Sequence, residues 1–328
     1  MKKQRIIVVG GGLAGIMAAS TLQEKGIKDI LIVEEGSVIG GRMATKGIGK
    51  GRFDYGAQFF TVRSPRLQLQ AEEWLGKGWI KRWFGDAYPR YTSMDGMQSL
   101  AAKLAEGLPL RLETKVKAVR EARDGLEVEL ESREKLLADG VILTPPAPST
   151  QVILRNGGIS FQQGDLPLLL EQKFNPCFVA LLQYSKSTKL EYPGHLDQGI
   201  TAEIERIVDH EKKGISPVAA VSVYMTGEWS RANFEKTDEQ ILDSILEVAG
   251  SHLAMEGPIE KQLMRWNYAE AVHIARKPFL DGGLSHPLLI AGDAYLSKED
   301  PAGRTRLESA FLSGVSAGEE MGKKLLCK

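Results

Sequence analysis

The sequence predicts an α/β protein in which a parallel-sheet domain, assembled from discontinuous segments, holds an inserted α+β domain. Three observations lead there. Residues 5–9 are a β-branched run, residues 13–25 have helical apolar spacing, and residues 30–33 are a second apolar run, so the chain opens on a strand–helix–strand unit. Residues 141–143 stop at Thr144-Pro145-Pro146, and residues 287–291 stop at Gly292-Asp293, as buried strands do. Similar strands at both ends of the chain bracket a middle of different texture.

The middle and the C-terminus read as follows. Residues 65–84 alternate aromatic and charged side chains, and Trp79/Trp83 and Ile80/Phe84 stand four apart, the spacing of helical packing pairs. Residues 96–106 form a short helix that feeds a strand over 110–116. The alternating, charged stretch 119–137 breaks at Asp124-Gly125, as an antiparallel hairpin does. Residues 161–266 mix strands (177–184 and 218–225) with a helix over 237–249. Thr305-Arg-Leu-Glu308 has the form of a capping box, which starts a helix at Thr305. Ala310, Gly314, Gly318 and Gly322 recur every four residues and give that helix a smooth stripe for close packing.

Composition narrows the function classes. The 328 residues correspond to about two domains at roughly 150 residues each. A hydrophobic share of 43% with 26% charged is that of a globular chain and excludes a disordered or fibrous one. Lys+Arg and Asp+Glu are 42 each, so the basic footprint of a dedicated nucleic-acid binder is missing. Two cysteines, Cys177 and Cys327, build neither a disulfide framework nor a zinc site, and no metal-ligand spacing occurs. No signal-peptide core or run of about 20 apolar residues is present, and a cytoplasmic protein without membrane or nucleic-acid partners is expected.

Gly10, Gly12 and Gly15 have G-x-G-x-x-G spacing, follow a strand, open a helix and are followed by Glu34, nineteen residues after Gly15. This is the context of a dinucleotide site. Gly10 makes the tight turn, Gly12 lets the backbone approach a pyrophosphate, and Gly15 permits close helix–sheet packing. The helix N-terminus receives the negative charge, and the Glu34 carboxylate is placed to accept from a ribose. At this point nicotinamide and flavin dinucleotides both remain open.

The segment Glu34-Glu-Gly-Ser-Val-Ile-Gly40-Gly41-Arg42, followed by Phe53-Asp-Tyr-Gly-Ala-Gln-Phe-Phe-Thr61, resembles the flavin-containing amine oxidase superfamily. Gly41-Arg-Met-Ala-Thr45 together with residues 53–61 looks like its renalase branch. The resemblance spans residues 5–63 and resumes at 95–100, 265–269 and 289–314. It implies a Rossmann-like FAD-binding domain over 1–62, 96–150 and 270–328. An amine-oxidase or p-hydroxybenzoate-hydroxylase-like substrate domain would then occupy 63–95 and 151–269.

The resemblance also implies which residues meet the cofactor. They are Gly10, Gly12, Leu13, Ala14, Gly15, Glu34 and Glu35 at the nucleotide end, with Gly41 and with Arg42 on phosphate. Gln58, Phe59 and Phe60 would lie along the flavin, Gly292 and Asp293 at the ribityl or pyrophosphate, and Arg306, Leu307 and Ser309 at the flavin-facing helix start. Val116 resembles the position whose backbone meets the adenine, and a plain core role fits it as well. Trp266, Tyr268, His273 and Gln58 are candidates for the catalytic wall, with core packing as the alternative for the aromatics. A lysine near flavin N5 is not identifiable. Cys327, next to the C-terminus, lies beyond the flavin-facing helix start, so noncovalent FAD is expected.

The implied reaction oxidises 2- or 6-dihydro isomers of NAD(P)H to NAD(P)+, with hydride passing to flavin N5 and O2 accepting the electrons as H2O2. An amine oxidase or carotenoid-desaturase-like enzyme on the same scaffold is the alternative. A noncatalytic flavin-binding redox sensor is the further one.

Overall fold

Strand β1 (Arg5–Val9), helix α1 (Leu13–Glu24) and strand β2 (Asp29–Val33) open the computed structural model, which describes residues 4–253, 256–297, 300 and 303–326. A hairpin of β3 (Thr45–Ile48) and β4 (Gly51–Asp54) follows, then α2 (Pro65–Gly76), a second hairpin of β5 (Ile80–Phe84) and β6 (Arg90–Ser93), and α3 (Met97–Leu104). The chain then runs through β7 (Leu110–Arg111), β8 (Val116–Ala122), β9 (Gly125–Leu130), β10 (Lys135–Ala138) and β11 (Gly140–Leu143), followed by α4 (Ala147–Asn156) and α5 (Leu166–Glu171). The next stretch holds β12 (Phe174–Gln183), β13 (His195–Leu196), β14 (Ile204–Asp209), α6 (His210–Lys213), β15 (Ala220–Met225), α7 (Gly227–Ala232), α8 (Asp238–Ala249) and β16 (Glu260–Ala271). It closes with β17 (Leu280–Asp281), β18 (Leu288–Ile290) and α9 (Leu307–Leu326).

Two sheets dominate. One is six-stranded in the order β17-β18-β11-β1-β2-β7, parallel except for the edge strand β17. Its strands come from the two ends of the chain and from residues 110–143 between them, with the apolar runs at 5–9, 141–143 and 287–291 side by side. The other is five-stranded and antiparallel, in the order β13-β14-β15-β12-β16. On β12 and β15 the side chains alternate, because successive residues of a strand face opposite sides. Phe178, Ala180, Leu182, Val221 and Val223 pack under α8, whereas Cys177, Val179, Leu181, Ala220 and Tyr224 face Phe53 of β4.

Helix α9 lies along α1 at the distance its small residues permit. A Cβ on Gly314 would stand 2.2 Å from the Ala14 carbonyl oxygen, and one on Gly318 would stand 2.7 Å from that of Ala18. The stripe is therefore a packing surface.

The structure departs from the sequence reading at three places. Residues 80–84 are a strand, not part of a helix: α2 ends at Gly76, Gly78 takes φ +66, and the backbone pairs with β6. The strand expected over 110–116 splits into β7 and the start of β8, with Glu113 at φ 50 between them. Helix α9 starts at Leu307, and the Glu308 carboxylate does not return to Thr305. It accepts from the Arg63 and Ser64 amides (3.1 and 2.7 Å) and from Ser64 Oγ (2.7 Å), tying the helix to the entrance of α2. Cys327, the cysteine beyond the expected flavin-facing helix start, lies outside the described residues. Among those residues no helix is long and apolar enough to cross a membrane, and no group of His, Cys, Asp or Glu is arranged to hold a metal.

Candidate functional site

The glycine loop sits where β1 hands over to α1. Gly10 has φ +100, a conformation that side chains resist, and a Cβ on it would meet Thr144 Oγ1 at 2.5 Å. Gly15 has the tightest fit of the three, because a Cβ there would stand 2.0 Å from the Gly10 carbonyl oxygen. At Gly12 nothing lies within 4 Å of the position a Cβ would take. The first glycine answers to backbone shape and the third to packing. The second borders open space.

Gly12 is also the N-cap of α1, with no side-chain cap and no acidic residue in the first turn. The leading amides of a helix have no intrahelical partner, so those of Leu13, Ala14 and Gly15 form an anion-accepting end. The Glu34 carboxylate accepts from the Gly11 amide (2.6 Å) and the Gly36 amide (2.7 Å), which fastens the loop to the end of β2. Beside it, a cavity of about 430 Å³ is lined by Glu35, Arg111, Thr114, Lys115 and Leu130, among others. Buried Val116 begins β8 next to Lys115.

Arg42 and Asp293, 251 residues apart, form a two-pronged ion pair with N–O distances of 2.9 and 2.5 Å. Arg42 Nη1 also donates to the Ala269 carbonyl at 2.9 Å, so one guanidinium joins the Gly41 turn, the end of β18 and the end of β16. The Gly292 amide donates to Ser313 Oγ (3.0 Å), which sets the Gly292-Asp293 turn against the first turns of α9. There Arg306 and Ser309 both bond Asp300, at 2.5 and 3.1 Å, and Leu307 is half-buried.

The segment after β4 is clamped by side chains remote in sequence. The Asp54 carbonyl accepts from Gln58 Nε2 (2.6 Å), Ser222 Oγ (3.0 Å) and Tyr224 OH (3.0 Å). The Asp54 carboxylate takes Lys213 Nζ at 2.6 Å, Thr45 Oγ1 at 2.5 Å and the Met97 amide at 2.9 Å. Lys213 Nζ also donates to Gln58 Oε1 at 2.9 Å and lies 5.0 Å from the centre of the Trp83 ring. Both side chains of the Lys213–Asp54 pair are fully buried. Burial pulls the Lys213 ammonium below the ordinary lysine range, and Asp54 opposes that shift. Burial also raises the Tyr224 phenol and holds His210, bonded to Ser222 Oγ at 2.7 Å, neutral.

The remaining candidates divide. Gln58 is buried with both ends of its amide engaged, so it acts as a tie within this seam. Phe59 turns toward Trp83, Phe84 and His195, whereas Phe60 turns into the core against Trp74 and Tyr91. Trp266 stacks on Tyr55 at 5.3 Å and donates to its carbonyl at 2.7 Å. Tyr268 follows on the same face of β16, 38% exposed and edge-on to Phe174. His273 is exposed and bonds the Glu171 carbonyl at 3.1 Å, apart from the others. Sequence reading missed Lys213, Ser222 and Tyr224. The lysine sits on a four-residue helix that no periodicity marks.

A family model described as NAD(P)-binding Rossmann-like domain matches residues 8–71, and one described as flavin containing amine oxidoreductase matches residues 71–269, more than half of the chain. The chain belongs to the flavin-containing amine oxidoreductase family. In sequence it is similar to polyamine oxidase 1 of Zea mays, 59% identical over 39 residues, which is 12% of this chain and 8% of that protein. It thus spans less than a tenth of the length of the curated relatives it matches. In structure it is similar to cyclohexylamine oxidase of Brevibacterium oxydans, with a TM-score of 0.70 and 13% identity, covering 99% of this chain and 100% of that one. A redesigned putrescine oxidase gives a TM-score of 0.67 at 14% identity, covering 97% and 98%. These likenesses show the shared fold. The family's flavin, FAD, fits the residues present, because the open position at Gly12 and the uncapped amides of α1 are what a diphosphate needs.

Proposed function

We propose that this chain is a renalase-like FAD oxidase that converts 2- or 6-dihydro isomers of NAD(P)H to NAD(P)+ while O2 is reduced to H2O2. When bound, FAD supplies the hydride-accepting centre. The observation that carries the reading is the strap 53–61, whose sequence resembles the renalase branch and which is clamped at the Asp54 carboxylate by Lys213 and at the Asp54 carbonyl by Ser222 and Tyr224. Clamping of this kind holds substrate and acceptor in one geometry, and positioning supplies most of the rate in a hydride transfer that needs no strong acid or base.

The cofactor roles given above for Gly10, Gly12, Leu13, Ala14, Gly15, Glu34, Glu35, Gly41, Arg42, Val116, Gly292 and Asp293 belong to this proposal. So do the contacts of Phe59, Phe60, Arg306, Leu307 and Ser309, noncovalent attachment, and the division of the chain into 1–62, 96–150 and 270–328 against 63–95 and 151–269. Trp266 and Tyr268 are assigned to the substrate wall. Gln58 and Lys213 hold the strap, and a cytoplasmic location completes the reading.

Anaerobic mixing with the dihydro isomers should bleach the flavin absorbance within seconds, while primary amines leave it unchanged. Bleaching by amines alone would replace this reading with that of an amine oxidase, which the polyamine and cyclohexylamine oxidases among the similar proteins favour.

A further inference from the structure

His195, at the start of β13, is enclosed by three aromatic rings. Its ring centre lies 5.6 Å from Phe59, 5.7 Å from Trp83 and 5.2 Å from Phe84. The side chain is only 4% exposed, and its Nε2 has no hydrogen-bond partner. The Arg90 guanidinium stands over two of the same rings, 4.9 Å from Phe84 and 5.8 Å from Phe59. Its Nη1 donates to the Tyr88 carbonyl at 3.2 Å, and its buried Nε has no partner. Two unsatisfied polar atoms thus border one aromatic surface, and leaving such groups unpaired is costly unless a ligand answers them.

Three cations and the Asp197 carboxylate bear on this surface. Arg90, Arg206 and Lys213 all act on His195, whose imidazole is held neutral mainly by burial, with Asp197 at 4.0 Å opposing. Lys213 is matched by Asp54, and Arg206 is bonded to Glu205. Among the described residues no carboxylate lies within ion-pair distance of Arg90. A guanidinium with free donors, set on aromatic faces beside a neutral imidazole, suits an oxyanion attached to a flat ring. An ammonium would meet the Arg90 guanidinium, which no carboxylate among the described residues pairs.

We propose that Arg90, His195, Phe59 and Phe84 form a subsite for a ring-bearing oxyanion, carboxylate or phosphate, on the substrate. This deepens the reading of the site as one for a dinucleotide, and it rests on that reading only in placing Phe59 along the flavin.

Calorimetric titration of the FAD-loaded protein with benzoate, phenyl phosphate, benzamide and benzylamine tests it without any turnover. At least one of the two anions should bind tenfold or more tightly than benzylamine, and whichever binds better identifies the oxyanion as carboxylate or phosphate. Arg90→Gln should weaken that binding at least tenfold, Arg90→Lys should recover part of it, and His195→Asn should weaken it several-fold. Equal binding of benzylamine, anion binding unchanged in R90Q, or no anion binding at millimolar concentration would overturn the subsite. The comparison of ligands on the unaltered protein stands even if a variant folds poorly. Because flavin bleaching by dihydro isomers is measured separately, a failure there with selective anion binding intact would leave the subsite standing.

Discussion

The glycine loop at the head of α1 and the seam around Asp54 hold their geometry by opposite means. The loop relies on what its residues lack: no Cβ at Gly15, where the Gly10 carbonyl would be 2.0 Å away, and none at Gly12, where space is open. The seam relies on what its residues carry, a buried cation, a buried carboxylate and three donors converging on one carbonyl oxygen. A shape built from backbone approach is damaged by added atoms, whereas a network of buried polar groups is damaged by removing one. The difference predicts which substitutions hurt where.

The largest effect should come from Lys213→Met. It leaves the fully buried Asp54 carboxylate without its cation, and breaking a buried ion pair costs about 3–5 kcal/mol. For a chain of this size that corresponds to a fall in Tm of roughly 4–7 °C. Adding Asp54→Asn should recover more than half of the loss, because the amide oxygen still accepts from the Met97 amide while no unpaired charge remains. Thermal unfolding followed by circular dichroism decides it, and a single-variant loss below about 1 kcal/mol would show that the seam is not the clamp described.

Next in size is a matched pair within the loop. Gly15→Ala forces a methyl group into a backbone carbonyl and should cost about 2–3 kcal/mol, as overpacking does. Gly12→Ala, three residues earlier, enters open space at φ −74 and should leave folding stability within about 0.5 kcal/mol. The same methyl should nevertheless lower FAD affinity about tenfold, equivalent to about 1.4 kcal/mol. Urea unfolding of the apoproteins combined with FAD titration separates the two. Equal destabilisation by both would erase the distinction between a packing glycine and a ligand glycine.

A smaller effect is expected where the two regions meet. Asp293→Ala removes both carboxylate contacts to Arg42. Retention of FAD should weaken several-fold, because Arg42 loses the partner that aims it and the proposed contact of the Asp293 carboxylate with the cofactor, worth about 1 kcal/mol, is gone. Equilibrium dialysis measures it, and unchanged affinity would place Asp293 outside the cofactor's reach.

The same contrast explains what the sequence disclosed. The loop is contiguous, so spacing and flanking elements revealed it, as did the parallel strands that carry it. The seam joins Asp54 and Gln58 to Lys213, Ser222 and Tyr224 across more than 150 residues, and no local pattern records that convergence. Local patterns also misled where a tertiary partner prevailed. The four-residue spacing at 79–84 suggested a helix, yet Gly78 turns the chain and β6 takes up its hydrogen bonds. Glu308 completed a capping signature on paper, yet its carboxylate is claimed by Ser64, 244 residues away.

Proton linkage offers the finest test of the comparison, because the aromatic wall next to the seam holds a histidine and the glycine loop holds none. Burial lowers His195 from 6.5 to about 4, and His210 moves in the same direction. As pH falls through 6.5 the unfolded chain gains protons that the folded protein does not, so stability declines with falling pH between 6.5 and about 4. The decline from His195 ends once the folded imidazole also protonates. Urea midpoints should therefore be flat from pH 8 to 7 and drop across that window, and His195→Phe should flatten part of the slope. Hydrogen exchange can localise the effect. If acidification acts through these histidines, amides of β15 beside His210 should lose protection before those of the α1 helix, and the reverse order would assign the acid lability to the loop.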